Sequence, residues 1–340
     1  MFARTRFALV GCALLLIAGL LTAQPAPIQL PKNDPPPQKI DPPPSRDAIA
    51  ARVNGQPILE LAVYRGMSVV PPERRAETRK EVLNFLIDNT VVDQYLTQLK
   101  IPVEEKEIEE HLERVKKEAV AQKKDFKQLM DSLMITETEL RTELTSALRW
   151  DKFILQQGTD DKLKPYFQAN VEMFNGSMMQ ARHVLIPASA DANAKILAIK
   201  KKIDDEVSQA IAKVPATADA ITREKERAKA LEQVFSKAAV EYSTCPSKEK
   251  GGDLSYFPRV GKMVEPFARA AYALKPFQMS NPVTTEFGVH LILSVDYKPG
   301  KEVKFEDVKP FVQEVYGERL REAVLSQYKE KAKIEIMPIK

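Results

Sequence analysis

Apolar residues recur at helical spacing through the middle of the chain. Leu83, Ile87, Val91, Tyr95 and Leu99 share one face, and Ile108, Leu112, Val115 and Ala119 share the next. Thr136 three residues before Glu139 predicts a capping box ahead of Leu140, Leu144, Leu148 and Leu155. Residues 78–156 are therefore expected to form a bundle of about four amphipathic helices. Upstream of the Pro71-Pro72 break, Val53-Asn54-Gly55-Gln56 carries the Asn-Gly pair of a tight hairpin turn. At Gln180 the character changes: Ala181-Arg182-His183-Val184-Leu185-Ile186 reads as a short strand stopped by Pro187. Two charged helices follow, one carrying Ile196, Ile199, Ile203, Val207 and Ile211, the other Ala228, Leu231, Phe235, Ala238 and Tyr242. Then come a Gly251-Gly252 turn, a short amphipathic helix around Phe267 to Leu274, and a strand from Val289 to Val295. That strand is apolar on both faces, which places it centrally under helices. A last helix with Val308, Val312, Val315, Leu320 and Val324 leads to a strand pattern, Lys333 to Met337. The plan is α+β with a small sheet.

The first residues are for targeting rather than for the fold. Arg4 and Arg6 precede an apolar run from Phe7 to Leu21, and Leu21-Thr22-Ala23 offers a small-residue cleavage site. A retained anchor and a lipidated Cys12 in Leu9-Val10-Gly11-Cys12 stay open as alternatives; fifteen or so apolar residues are short for a span. From Gln24 to Arg46, Pro35-Pro36-Pro37 and Pro42-Pro43-Pro44 read as an extended polyproline spacer.

Composition narrows the chemistry. The 51 Lys+Arg against 47 Asp+Glu leave +4, too small an excess to argue for nucleic acid. Two cysteines and three histidines cannot build a zinc site at this spacing or a disulfide framework, so no metal is expected. His111 sits among Glu109, Glu110, Glu113 and Arg114 and reads as part of a solvated face. The other two histidines, His183 and His290, occupy predicted strands. If these strands are neighbours, period-2 alternation lets both imidazoles meet over one face. With Cys245 they could form a Cys/His nucleophilic site, or simply a pair of structural histidines satisfied by hydrogen bonds.

Five ordered blocks over about 110 residues carry a resemblance. They are Ala181 to Ile186, Tyr242-Ser243-Thr244-Cys245-Pro246-Ser247, Gly251-Gly252-Asp253-Leu254, Met263-Val264-Glu265-Pro266-Phe267, and Ser280 to His290. Together they resemble the parvulin peptidyl-prolyl isomerases. The resemblance implies a four-stranded antiparallel sheet wrapped by helices and assigns positions. His183 and His290 match the paired histidines, Cys245 the cysteine-or-aspartate position, and Thr285 the threonine beside them. Leu254, Met263 and Phe267 match the proline-ring pocket. Phe287 stands where some relatives have a small polar residue, which would make the pocket more apolar. The segment between Pro187 and Phe235 is longer than in compact bacterial parvulins. The stretch from Ile186 to Asp191 lacks the basic cluster of phosphate-specific relatives.

The layout outside this block is similar to exported foldases of the SurA and PrsA type. It implies a signal peptide at 1–23, a Pro-rich linker at 24–46, a helical N-terminal domain at 47–177 completed by 301–340, and a parvulin domain at 178–300. In that arrangement Ile334 to Met337 pair with the Val53 hairpin. The expected activity is peptidyl-prolyl cis-trans isomerisation without a cofactor. The expected clients are unfolded or partly folded exported polypeptides containing X-Pro bonds, in the periplasm or cell envelope, with membrane proximity through the N-terminus. A non-catalytic holdase is the alternative, and an assembly or scaffold protein the third.

Overall fold

A computed structural model describes residues 42–67, 70, 75–121 and 125–338. The expected targeting segment, Cys12 and most of the Pro-rich stretch lie outside these residues. The chain divides into two compact units, one running up to Leu163 and resuming at Gln313, the other Lys164–Val312. No helix among the described residues is long and apolar enough to cross a membrane.

The first unit begins with a hairpin, β1 (Ile49–Val53) and β2 (Gln56–Leu59). Asn54 and Gly55 both take positive φ, 52° and 86°, which a two-residue hairpin turn requires and which Asn-Gly tolerates. The C-terminal strand β7 (Ile334–Ile336) pairs antiparallel with β1, giving the order β2-β1-β7. Helices α1 (Glu60–Met67), α2 (Arg75–Gln98), α3 (Glu105–Ala121), α4 (Phe126–Leu133) and α5 (Glu137–Gln157) follow β2. One face of α2, with Val82, Leu83, Ile87 and Val91, packs on Ala50, Ala51, Val53 and Ile58. A second apolar cluster joins α3, α4 and α5 through Leu112, Val115, Leu129, Met130, Leu140 and Leu144. The capping box at the start of α5 is present: Glu139 N–H donates to Thr136 Oγ1 and Thr136 N–H to Glu139 Oε2.

Three details differ from the sequence pattern. Leu99 is 46% exposed because α2 ends at Gln98 and Lys100 turns the chain with φ 56°. Leu155 is 63% exposed, and Phe153 is buried in its place. The reason is a change of partner along α5: its first half faces α3 and α4, whereas Phe153 packs with Val92, Leu96 and Val324. His111 is half-buried rather than solvated, and that burial lowers its pKa.

The second unit is built on a sheet of β3 (Met178–Ile186), β4 (Asp253–Pro258), β5 (Val283–Thr285) and β6 (Gly288–Lys298), in the order β4-β3-β6-β5 and antiparallel throughout. Val184, Val289, Leu291 and Leu293 point to one face. They are covered by Ile196, Ile199, Ile203 and Val207 of α7 (Ala192–Ile211) and by Leu231, Phe235 and Ala239 of α8 (Ala220–Tyr242). Burying one such side chain contributes about 1.5–3 kcal/mol, which is what holds the long helical hairpin on the sheet. The opposite face carries Met179, Ala181 and Ile292 under α9 (Glu265–Tyr272). With β6 flanked by β3 and β5, the strand that is apolar on both sides is interior. The last helix, α10, spans Phe305–Tyr328.

Gly252 fixes how closely the turn before β4 approaches β3. Its carbonyl accepts from the His183 N–H at 3.0 Å, its φ is +76°, and a Cβ there would run into the His183 carbonyl oxygen. Gly261 also has positive φ, +91°, but open space around it. Gly252→Ala is therefore expected to cost about 3 kcal/mol in urea denaturation, against about 1 kcal/mol for Gly261→Ala, which carries the left-handed strain alone. Equal costs would show that the contact with His183 is not the constraint.

Candidate functional site

The β3–β6 register sets His183 opposite Ile292 and His290 opposite Leu185. The two histidines are thus diagonal neighbours on one face, a spacing across which long or aromatic side chains touch. Their rings stack at 18° with centroids 5.4 Å apart, and Nδ1 of one lies 3.1 Å from Nδ1 of the other. His183 Nε2 lies 3.0 Å from Ser247 Oγ, and His290 Nε2 lies 2.8 Å from Thr285 Oγ1. All four ring nitrogens are therefore engaged.

Both imidazoles are nearly inaccessible, 5% and 4% exposed. Burial pushes each down to about 4, and for His183 the neighbouring His290 adds to the depression. Both are neutral at pH 7, so a single proton lies between the two Nδ1 atoms. The Phe287 N–H already donates to Thr285 Oγ1 at 3.1 Å. Two arrangements satisfy every group in line: Thr285 O–H donates to His290 Nε2, His290 Nδ1–H to His183 Nδ1 and His183 Nε2–H to Ser247 Oγ, or each bond runs the other way, with Thr285 Oγ1 accepting from both Phe287 N–H and His290 Nε2–H.

Phe267 closes the pair from below, its ring edge-on at 5.6 Å from His183 and 5.2 Å from His290. Leu254 and Met263 are partly buried against the same cluster, so Leu254, Met263 and Phe267 share one apolar wall beside the imidazoles. The start of α9 is held by Arg259, 6% exposed, whose guanidinium grips Glu265 with two hydrogen bonds of 2.7 and 2.8 Å. This pair stands two residues from Phe267 and orients it. Phe287, by contrast, is 60% exposed at the tip between β5 and β6; it enters the network through its backbone N–H.

Cys245 is a half-buried free thiol at the head of the short 3-10 turn Pro246–Lys250. Its N–H donates to Ser243 Oγ at 3.3 Å, and Ser243 Oγ also accepts from Leu185 N–H at 3.1 Å, which ties the segment to β3. The group from this segment that hydrogen-bonds a histidine is Ser247, two residues further on. Sequence reading did not single out Ser247; its place in the Tyr242–Ser247 block was the available signal. Among the described residues no group of three or more His, Cys, Asp or Glu side chains is arranged to hold a metal ion.

Residues 183–296 match the Rotamase family, the PPIC-type PPIASE domain. A Foldase protein PrsA of Caldanaerobacter subterraneus is 28% identical over 269 residues, covering 76% of this chain and 73% of the relative. Foldase protein PrsA 1 of Bacillus cereus is 32% identical over 183 residues; the match spans 53% of this chain but only half of that relative's length. Peptidyl-prolyl cis-trans isomerase pin1 of Rhizopus delemar is 43% identical over 84 residues, 22% of this chain and 55% of the relative. Among solved structures, the peptidylprolyl isomerase PrsA of Bacillus anthracis aligns over 76% of this chain and 99% of its own, at 23% identity and a TM-score of 0.42.

The neutral histidines make stability depend on pH in a defined direction. Their folded-state values, about 4, lie below the ordinary 6.5, so the unfolded chain binds more protons between those limits. Stability is complete above about pH 6.5 and falls as the pH drops through 4. Urea denaturation stepped from about pH 7.5 to 4.5 should show a loss on the order of 5 kcal/mol attributable to the pair, roughly half of it from each ring, absent from His183→Gln/His290→Gln.

Proposed function

We propose, from the membership of residues 183–296 in the PPIC-type peptidyl-prolyl isomerase family, that this protein is an exported foldase that turns X-Pro bonds in unfolded client chains. In this reading, residues 178–300 are the isomerase domain. Residues 47–177 with 301–340 form the second, client-handling domain, and the N-terminal 1–23 directs export to the cell envelope. The observation that carries the catalytic part is the buried, uncharged Ser247–His183–His290–Thr285 chain set directly against Phe267.

The barrier is loss of amide resonance, roughly 18–20 kcal/mol, and no bond has to break. Leu254, Met263 and Phe267 offer an apolar socket for the pyrrolidine ring. The histidine chain and Cys245 form the polar wall beside it. A twisted amide carries less charge on its oxygen and more on its nitrogen than a planar one. A wall of neutral, pre-oriented dipoles discriminates between the two forms where a fixed charge would hold the planar ground state.

Covalent attack by Cys245 is disfavoured on the same geometry. A thiolate nucleophile needs a base, yet each imidazole nitrogen is already committed to another partner, and imidazoles titrating near 4 do not hold a proton taken from a thiol at neutral pH. Cys245 acts as a polar neighbour of the carbonyl. Phe287, exposed at the rim, contacts the chain flanking the proline.

Exchange of an Ala-Xaa-Pro-Phe peptide followed by NMR tests this reading. Wild type should accelerate exchange. Met263→Ala should lower kcat/KM about tenfold, a loss near 1.4 kcal/mol, and Cys245→Asp should stay within about tenfold of wild type. No acceleration by wild type would remove the catalytic reading, and suppression of client aggregation by that inactive protein would leave the holdase. Complete loss in a folded Cys245→Asp would favour the covalent route.

A further inference from the structure

Arg182 stands beside His183 on β3, and strand alternation turns its side chain to the opposite face of the sheet, toward α8. There the guanidinium divides between two partners. Nε and Nη2 donate to Glu232 Oε1 of α8 at 3.3 and 3.0 Å. Nη1 donates to the Lys250 and Gly251 carbonyls at 2.9 and 3.2 Å. These carbonyls close the 3-10 turn Pro246–Lys250, whose second residue is Ser247, the partner of His183 Nε2.

The turn is short, so its exit sets where Ser247 lies. Gly252 N–H donates to the Ser247 carbonyl and Gly251 N–H to the Lys248 carbonyl, both at 2.9 Å. The entry is tied to β3 at Leu185, whose carbonyl accepts from Thr244 N–H at 3.0 Å and from Thr244 Oγ1 at 3.1 Å. At the exit the backbone supplies one bond to β3, from His183 N–H to the Gly252 carbonyl. Arg182 adds two more at the adjoining residues. The turn also lies directly on α8, since a Cβ on Gly251 would come within 2.6 Å of Ser236 Oγ.

A guanidinium suits this task. Its planar fork meets a carboxylate on one edge and carbonyls on the other, with donors strengthened by the charge. The Arg182 side chain is 16% exposed, so Glu232 both balances a mostly buried charge and fixes which edge of the fork faces the turn. An ammonium is a compact point charge and does not reproduce that division.

We infer that Arg182 is a positioning residue of the isomerase site: held by Glu232, it clamps the exit of the turn from the far face of the sheet and so keeps Ser247 Oγ on His183 Nε2. Its effect on rate rests on the isomerase reading. The placement of Ser247 is measurable without that reading.

The chain's three histidines make the test direct. Full-length protein labelled with 15N-histidine reports the Ser247–His183 contact through the His183 ring nitrogens, assigned by their loss in His183→Gln. Ser247→Ala should shift the His183 Nε2 signal. Arg182→Gln and Glu232→Gln should shift it in the same direction, and Arg182→Gln should add nothing in a Ser247→Ala background. Arg182→Lys should restore less than about half of the shift. Ile203→Val, which loosens the α7–α8 hairpin without touching the turn, should leave the signal in place. In X-Pro exchange, Arg182→Gln should lower kcat/KM about fivefold, the worth of one hydrogen bond, and the double variant should match Ser247→Ala alone. An unmoved His183 signal in folded Arg182→Gln, independent effects in the double variant, or an equal shift in Ile203→Val would each overturn the inference. Should Arg182→Gln fail to fold, Glu232→Gln keeps the guanidinium and decides the same question. Absence of exchange in wild type would remove the isomerase reading and the rate effect with it, while the His183 shifts would still decide whether Arg182 places Ser247.

Discussion

Nine consecutive residues of β3 pair with β6, and that ladder is what the second unit depends on. It sets His183 and His290 diagonally on one face and, by the same alternation, turns Val184, Val289 and Leu291 to the other. One face then has to be covered by the α7–α8 hairpin and the other by α9. A slip of one residue would exchange the two sets, exposing the aliphatic row and driving the imidazoles under the helices. The core and the site are therefore two sides of one register.

Burial of the imidazole pair follows from that placement and decides its chemistry. Two charged rings with Nδ1 atoms 3.1 Å apart in an apolar setting would repel each other and lose their hydration, so both stay neutral, and neutrality lets one proton bridge the two Nδ1 atoms between Thr285 and Ser247. The same groups in an open, charged environment would suit nucleophilic or metal chemistry. Here they suit a reaction in which charge is redistributed within an amide and no atom is transferred. The buried Arg259–Glu265 pair is in the supporting layer, anchoring the helix that brings Phe267 against both rings.

The two units differ in what they expose to a neighbouring chain. In the proposed reading, the wall of Leu254, Met263 and Phe267 meets the proline ring and the histidine pair beside it meets the amide. In the first unit, a cavity lined by Trp150 has apolar walls of Ile58, Leu86 and Leu96 with carboxylates and guanidiniums beside them.

Local features were legible in the sequence because they depend on neighbours. The Asn54-Gly55 hairpin, the Thr136–Glu139 capping box, the helical stripes of α7 and α8, and the two histidines on strands all rest on residues within a few positions of one another. The family blocks extended this to Thr285 and the pocket residues. Tertiary structure alone decided the rest. Ser247 reaches His183 across 64 positions, a hydroxyl on a 3-10 turn with no periodicity to announce it. Phe153 rather than Leu155 is buried because α5 changes packing partner along its length, and a single-helix pattern carries no information about partners. The cavity lined by Trp150 is assembled from five elements, several of them distant in the chain, and which of its charges are paired appears only once Arg65, Arg149 and Arg321 have been assigned their contacts. Sequence determines which face each residue occupies on its own element; which faces meet, and which charges are left over when they do, is settled by packing.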